Sequence, residues 1–483
     1  MSLTRRKSLE SLLERAKHNE LKRTLTAKSL VALGIGAIIG AGLFVRTAAA
    51  SAQDAGPAVI VSFLVAAIGC VFAGLCYSEF AAMIPIAGSA YTYAYTTMGE
   101  LVAWVIGWAL ILEYALGAAT LSIAWAEYLN KLLTQMGGSP VPFQWSHSPM
   151  EHSALGVSGI MNVPAVLILL LLSAVLVKGT QESARLNTII VCIKIAIVIV
   201  FIAVGWQYIN PANHTPFTIP ASEPGHEAMF HHGWWGVLGG AGIVFFAFIG
   251  FDAVSTAAQE TVNPGRDMPR GILGSLAICT LLYVTFSWVL TGVASWREFG
   301  TVGKEASVAY AIQNGMPGWG WLATAVTVAI LFGFSSVMLV MLLGQSRVFY
   351  TMSEDGLLPR LFSDVHPKFR TPYKCNILLF FFVGAFGAFL PESLAGDLTS
   401  IGTLFAFVLV CIGVVIMRKI QPNANRPFRT PLVPLVPALG VLVCGGMIYA
   451  LDTRTQLTAL GWMLIGFVIY FLYGKSHSKL KDL

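Results

Sequence analysis

A chain of 483 residues that is 56% hydrophobic and only 11% charged, with mean hydropathy +0.72, falls outside the ordinary soluble classes, whose charged fraction is about 25%. Its net charge of +6 reads as membrane topology and contact with anionic lipid, and calls for no nucleic acid. The sequence has no G-x-x-x-x-G-K-[ST] phosphate loop, which argues against an ATPase carried on this chain, so uphill movement of a solute would draw on an ion gradient or on exchange.

Residues 8–23 pattern as an amphipathic helix, with Leu9, Leu12, Leu13 and Ala16 on one face, suited to lie along the inner membrane surface. No short apolar segment with a cleavage site precedes the first span. Apolar stretches that meet the ~20-residue requirement of a bilayer crossing are expected at 29–50, 57–83, 100–133, 161–178, 186–209, 234–258, 271–294, 318–346, 373–391, 394–417, 430–450 and 457–474. The prediction is therefore an all-α integral membrane protein with 12 transmembrane helices. Basic residues crowd the leader, the tail and the even-numbered connections, among them Lys178, Arg266, Arg347, Arg418 and Arg429. Arg46, Lys131, Arg297, Lys304 and Arg454 fall on the other side. That asymmetry places both termini in the cytoplasm, at the cell's inner or plasma membrane.

Two spans are flawed as helices. The first carries Gly34, Gly36, Gly40 and Gly42 within Val31–Val45, and the sixth carries Gly250 and Asp252 within Val244–Val254. Unwound backbone at membrane depth survives only where protein or a water-filled cavity satisfies it. Paired interrupted spans in the two halves of a chain point to a transporter's binding site. Around Ile38, Gly40, Ala41 and Gly42, freed N–H groups at the start of a half-helix suit a carboxylate. Around Phe246, Ala247 and Ile249, freed carbonyls suit an ammonium. Together they suit an α-amino acid zwitterion. Phe248 is a candidate gate over it, or an ordinary packed phenylalanine. Close helix packing through Gly36 and Gly40, a GxxxG pair, is the alternative for the first run.

Ionisable residues within spans are functional candidates because burial is costly. Lys194, in the fifth span, could carry a proton, stand where another protein holds a sodium ion, or snorkel to the inner interface. Glu113 could face the cavity, binding substrate through water, or bond a neighbouring helix. Glu79 and Asp252 read as structural or gating groups. Met338 and Met341 share a face of the eighth span and could cap an apolar pocket or simply pack. His231-His232 lacks the spacing of a metal site and reads as solvated loop. The seven cysteines lie in spans or at their inner margins, so no disulfide is expected.

Four stretches carry a family resemblance: Gly34–Val45, Gly107–Tyr114, Phe245–Glu260 with Asn263-Pro264-x-Arg266-Asp-x-Pro269, and Arg347–Pro359. With Pro427–Pro431 and Tyr470–Lys475, they make the chain resemble the amino acid–polyamine–organocation (APC) superfamily, in its bacterial cationic amino acid transporter subfamily. The resemblance implies the LeuT fold. Two inverted five-helix repeats (29–209 and 234–418) would hold the discontinuous helices 1 and 6. An exterior loop at 210–233 would join them, with peripheral spans over 419–474, a cytoplasmic leader over 1–28 and a tail over 475–483. It implies that Gly40, Ala41 and Gly42 bind the substrate carboxylate, that the carbonyls of Phe246, Ala247 and Ile249 hold the amine, that Phe248 gates, and that Lys194 takes part in proton coupling.

No cofactor beyond the coupling proton is implied. The expected partners are an L-amino acid and membrane lipid, with room for a small membrane-protein partner. The loop between the third and fourth spans has no cysteine for a disulfide-linked heavy chain. The methionine face favours a small neutral substrate, whereas Glu113 argues for a cationic one, and both proton symport and amino acid exchange remain open.

Overall fold

The computed structural model describes residues 5–8, 25–84, 89–153, 155–178, 184–301, 306–369 and 371–479. Nearly all of the amphipathic segment predicted over 8–23 lies outside them. Among the described residues there is no strand, only two isolated β-bridges. Twelve principal apolar helices follow in order: α1 (Ala27–Ile38), α2 (Val59–Met83), α3 (Glu100–Ile111, continuing to Gln135), α4 (Val163–Lys178), α5 (Ala184–Gly205), α6 (Gly233–Val244), α7 (Pro264–Val293), α8 (Gly320–Glu354), α9 (Tyr373–Phe389), α10 (Glu392–Ile420), α11 (Leu435–Ala450) and α12 (Thr453–Ile469).

Seven helical runs among the described residues are long and apolar enough to cross a membrane, and five apolar helices are shorter. Two of the shorter ones, α1 and α6, owe their length to the breaks. Downstream of the first break, Gly42–Met83 is one helical run of 42 residues. The loop predicted between the first two spans is instead a π-helical turn (Ser51–Ala55) and a 3-10 turn (Gly56–Ala58), with Gly56 at φ +61°. The chain thus changes direction without leaving helical hydrogen bonding. Helix α11 starts at Leu435, later than predicted, because Pro431 and Pro434 cannot supply the backbone donors of a helix interior.

The burial pattern separates centre from periphery. In its most apolar stretch α3 is 83% buried, whereas α12 is 22% and α5 28% buried. Leu464 and Leu472 of the last helical run are exposed, as expected for side chains that face lipid tails. Helix α7 packs on both α1 and α2, and α3 packs on α8. The small residues of α1 make this possible. A Cβ on Gly34 would meet the Ser275 hydroxyl of α7 at 2.5 Å, and one on Gly36 would meet Val191 of α5 at 2.5 Å.

Helices α3 and α12 are joined by indoles. Trp104 and Trp108 stack at 5.7 Å, and Trp108 and Trp462 at 4.7 Å. Trp104 Nε1 donates to the Gly466 carbonyl (2.9 Å) and Trp108 Nε1 to that of Trp462 (2.8 Å). Each buried indole N–H thus finds its acceptor.

On the face predicted to be cytoplasmic, widely separated segments meet. Lys7 Nζ lies 2.6 Å from both Asp355 carboxylate oxygens at the end of α8, and Tyr91 Oη donates to the same group (2.7 Å). The Glu100 N–H at the start of α3 donates to the Arg5 carbonyl (2.9 Å). Ser478 Oγ and Tyr470 Oη donate to the Glu100 carboxylate (2.5 and 2.9 Å). Nearby, Glu79 of α2 accepts from Arg418 (3.1 and 2.7 Å) and from the Thr430 N–H (2.7 Å), with Arg426 at 3.3 Å. Glu79 is therefore a structural hub tying α2 to α10 and to the chain leading into α11.

Candidate functional site

The first break lies where α1 stops. Ile39 turns to extended backbone (ψ 106°), and helical geometry resumes at Ala41 and the π-helical turn Gly42–Arg46. The second lies after α6, where a 3-10 turn (Phe245–Phe248) ends in extended Ile249 (ψ 135°). Gly250 then takes φ +111°, a conformation that disfavours any side chain. Helical turns resume at Ala253–Thr256 and Ala257–Glu260.

The two breaks touch. The space a Cβ on Gly42 would need is filled by the backbone of Ala247, and a Cβ on Gly250 would stand 2.8 Å from the Ala37 carbonyl. Gly40 differs, with only the side chains of Val337 (3.7 Å) and Leu121 (3.8 Å) near its Cβ direction, at ordinary contact distance. The glycines of the first run therefore divide the two roles left open by the sequence. Gly34 and Gly36 serve helix packing, and Gly40 and Gly42 serve the break.

Lys194 is 3% exposed and does not snorkel. Its Nζ donates to the carbonyls of Gly36 (3.3 Å) and Ile39 (3.2 Å), the last acceptors of α1, and its stem lies against Gly333 of α8. A cation at the carboxyl end of a half-helix meets both the orphan carbonyls and the negative end of the helix dipole. Among the described residues no carboxylate forms an ion pair with it. Its partners among those residues are backbone carbonyls.

Tyr283 of α7 was not singled out from the sequence, yet its Oη lies 3.1 Å from the Ile38 carbonyl and 2.9 Å from the Ala247 carbonyl, one in each break. Its ring packs against Phe248 and Phe63, both at 5.4 Å, and Phe248 packs on Phe63 at 6.2 Å. Phe248 is thus held between α2 and α7 in this conformation. Phe246 is 4% exposed, and its carbonyl accepts from the Ile249 N–H (3.3 Å).

Glu113 sits in a π-helical turn, Leu112–Leu116, of α3 and is 1% exposed. Among the described residues neither carboxyl oxygen has a hydrogen-bond partner of ordinary geometry, although Asp252 and Thr403 lie beside it. Tyr114 Oη donates to Asp252 (3.2 Å), which places Glu113 next to the resumed segment of the sixth span. Met338 and Met341 are both buried on α8. Met341 Sδ is 2.8 Å from where a Cβ on Gly117 of α3 would stand, with Thr399 of α10 at 3.5 Å.

Arg46, counted outside from the sequence, is fully buried. It pairs with Glu392 (3.3 Å) and with Asp397 of α10. The signal available was its position four residues beyond Gly42, on the same half-helix, but nothing in the sequence named its partners. Above this layer opens a cavity of about 1200 Å³, bordered by Gln53, Glu127, His231, Glu392, Asp397 and Asp452. His231 bridges Asp54 (2.6 Å) and Asp452 (3.4 Å), and His232 Nδ1 lies 2.8 Å from the His226 carbonyl. No cluster able to hold a metal occurs among the described residues.

Comparisons with known proteins agree on the family. The amino acid permease family matches residues 25–473. The branched-chain amino acid permease BcaP of Bacillus subtilis is 43% identical over 482 residues, covering 100% of this chain and 99% of the relative. The methylthioribose transporter of the same organism is 39% identical over 479 residues, 99% of each chain. A vacuolar cationic amino acid transporter of Arabidopsis thaliana is 31% identical over 424 residues, 87% of this chain and 68% of the relative. A multi-pass helical protein with two touching helix breaks and this full-length similarity is a transporter, not an enzyme, and it belongs to the amino acid permease family of the APC superfamily.

Proposed function

We propose that this protein is a proton-coupled symporter of neutral L-amino acids, small and branched aliphatic ones first. It would work by alternating access in the bacterial plasma membrane, with twelve crossings in the LeuT arrangement and both termini inside. The observation that carries the reading is the contact between the two helix breaks, with Lys194 on the carboxyl end of one of them. The amide groups at Gly40, Ala41 and Gly42 receive the substrate carboxylate, with Ile38 beside them. The carbonyls of Phe246, Ala247 and Ile249 receive the ammonium. Phe248 closes over it after leaving Phe63. Met338 and Met341 border the aliphatic side chain, and Glu113 stands at the edge of the pocket as the group a cationic substrate would use. The similarity to a branched-chain amino acid permease favours an aliphatic side chain.

Lys194 supplies the coupling. Charged, it holds the last carbonyls of α1 and keeps that half-helix in place. When it loses its proton it can offer them only a weaker, neutral donor, and α1 is freer to move. Uphill uptake then follows because loading and reorientation require opposite protonation states.

Uptake into proteoliposomes of labelled leucine, alanine, arginine and methylthioribose, with and without an inward proton gradient, tests this. Gradient-driven accumulation of leucine or alanine is expected. Arginine accumulation would assign Glu113 to the substrate and the protein to the cationic class. Methylthioribose uptake alone would overturn the amino acid reading, and gradient-independent counterflow alone would make the protein an exchanger.

A further inference from the structure

Tyr283 presents one hydroxyl to two carbonyls that belong to different broken helices. A phenol has a single O–H proton, so it donates to one carbonyl at a time, here Ala247 at 2.9 Å or Ile38 at 3.1 Å. The ring is fully buried and wedged against Phe63 and Phe248, so the hydroxyl cannot turn to water. We propose that Tyr283 is a positioning residue whose proton stands in for the substrate ammonium. In the empty site it satisfies the Ala247 carbonyl. When the substrate arrives, its ammonium binds the second lone pair of that carbonyl and the phenol keeps its place, so the Ile38 carbonyl is unchanged between the empty and the loaded site.

The inference rests on the reading of the Ala247 carbonyl as an ammonium acceptor. Its physical basis is the asymmetry of buried hydrogen bonding, in which the main penalty falls on a buried acceptor left with no donor. With Tyr283 present, neither the empty nor the loaded site has an orphaned carbonyl at Ala247. The same holds for a ligand without an amine, because the phenol simply stays where it is. With the hydroxyl removed, Ala247 is orphaned in the empty site and under an amine-free ligand, and is satisfied only by an ammonium. Removing the hydroxyl should therefore sharpen the discrimination for the amine while slowing turnover, since release of the substrate exposes the carbonyl again.

The test compares leucine with 4-methylpentanoate, the same molecule without its amine, as competitors for labelled leucine bound to the purified full chain. In Tyr283→Phe, the preference for leucine over 4-methylpentanoate is expected to rise roughly fivefold or more, the scale of one buried hydrogen bond, while the maximal uptake rate falls. Incorporating 3-fluorotyrosine at position 283, which keeps the hydroxyl and makes it a stronger donor, is expected to shift the preference the other way. That second variant decides the matter where the phenylalanine protein does not fold. A preference unchanged in either variant, or moved in the same direction by both, overturns the inference. If the native protein binds no amino acid at all, the functional reading itself fails and takes this inference with it. Leucine transport by the native protein with an unmoved preference sinks the inference alone.

Discussion

Lys194 and Met341 lead to separable predictions, the first about a charge and the second about the shape of a pocket. Lys194→Ala removes the side chain that caps α1 at Gly36 and Ile39. Proton-driven accumulation of leucine is expected to drop to the level reached without a gradient, about tenfold or more, while equilibrium binding survives within severalfold. Full accumulation in this variant would exclude Lys194 as the coupling group. Met341→Ser opens space beside Gly117 and Thr399 and should admit larger or more polar amino acids in a competition panel. An unaltered panel would mean that Met341 only packs. The two residues also differ in how well the sequence announced them. A lysine seven residues into an apolar span stands out because burial of a charge demands a reason. Its interpretation nevertheless needed the structure, because snorkelling and capping put the same letter at the same place. Tyr283 gave no signal, since its importance lies in reaching two segments separated by some two hundred residues.

At the level of the elements, the breaks were legible because glycine and an acidic residue inside apolar runs conflict with a continuous helix. Their mutual contact was not, because no local pattern records which backbone fills the gap left by a missing Cβ. Gly42→Ala forces a methyl group into the backbone of Ala247, an overpacking cost on the order of 1–3 kcal/mol. Leucine uptake is expected to fall at least tenfold in this variant. The control Gly445→Ala, in open space on α11, should transport normally. Equal loss in both would remove the special status of the contact. The same logic explains Arg46. Charge counting assigns a residue to a side of the membrane by its place in the sequence, whereas Glu392 and Asp397 draw this one into the protein interior. Span ends blurred for a related reason: π-helical and 3-10 turns prolong helical bonding through segments whose composition reads as loop.

Across the whole molecule, the face opposite the meeting of residues 5–8 with residues 475–479 carries an imidazole bridge. His231 joins Asp54, just beyond the first break's half-helix, to Asp452, at the start of α12. Hydrogen bonds donated to the Asp452 and Asp54 carboxylates favour its cation and raise its pKa from the ordinary 6.5 to about 10. A folded-state pKa above the unfolded one gives stabilisation that is fully present below about pH 6.5 and is lost as pH rises through about 10. The site is partly open to solvent, so the gain is on the order of 1 kcal/mol after screening. Thermal midpoints of the purified protein should therefore decline between pH 7 and 10.5. His231→Gln should start lower at pH 7 and lose the part of that decline that belongs to this group. Parallel curves for the two proteins would mean that the bridge contributes nothing.

The meeting of residues 5–8 with residues 475–479 has a practical side. Lys7 and Lys479 both engage Asp355, through its side chain and its main-chain carbonyl respectively, while Arg5 and Ser478 both engage Glu100. These four lie on segments far apart in the gene but within one patch. An affinity handle or fluorescent fusion spliced close to either segment would thus press on contacts that reach the start of α3 and the end of α8. The connection around Gly137, exposed and with nothing within 4 Å of where a Cβ would stand, offers a more neutral attachment point for labels meant to watch the molecule work.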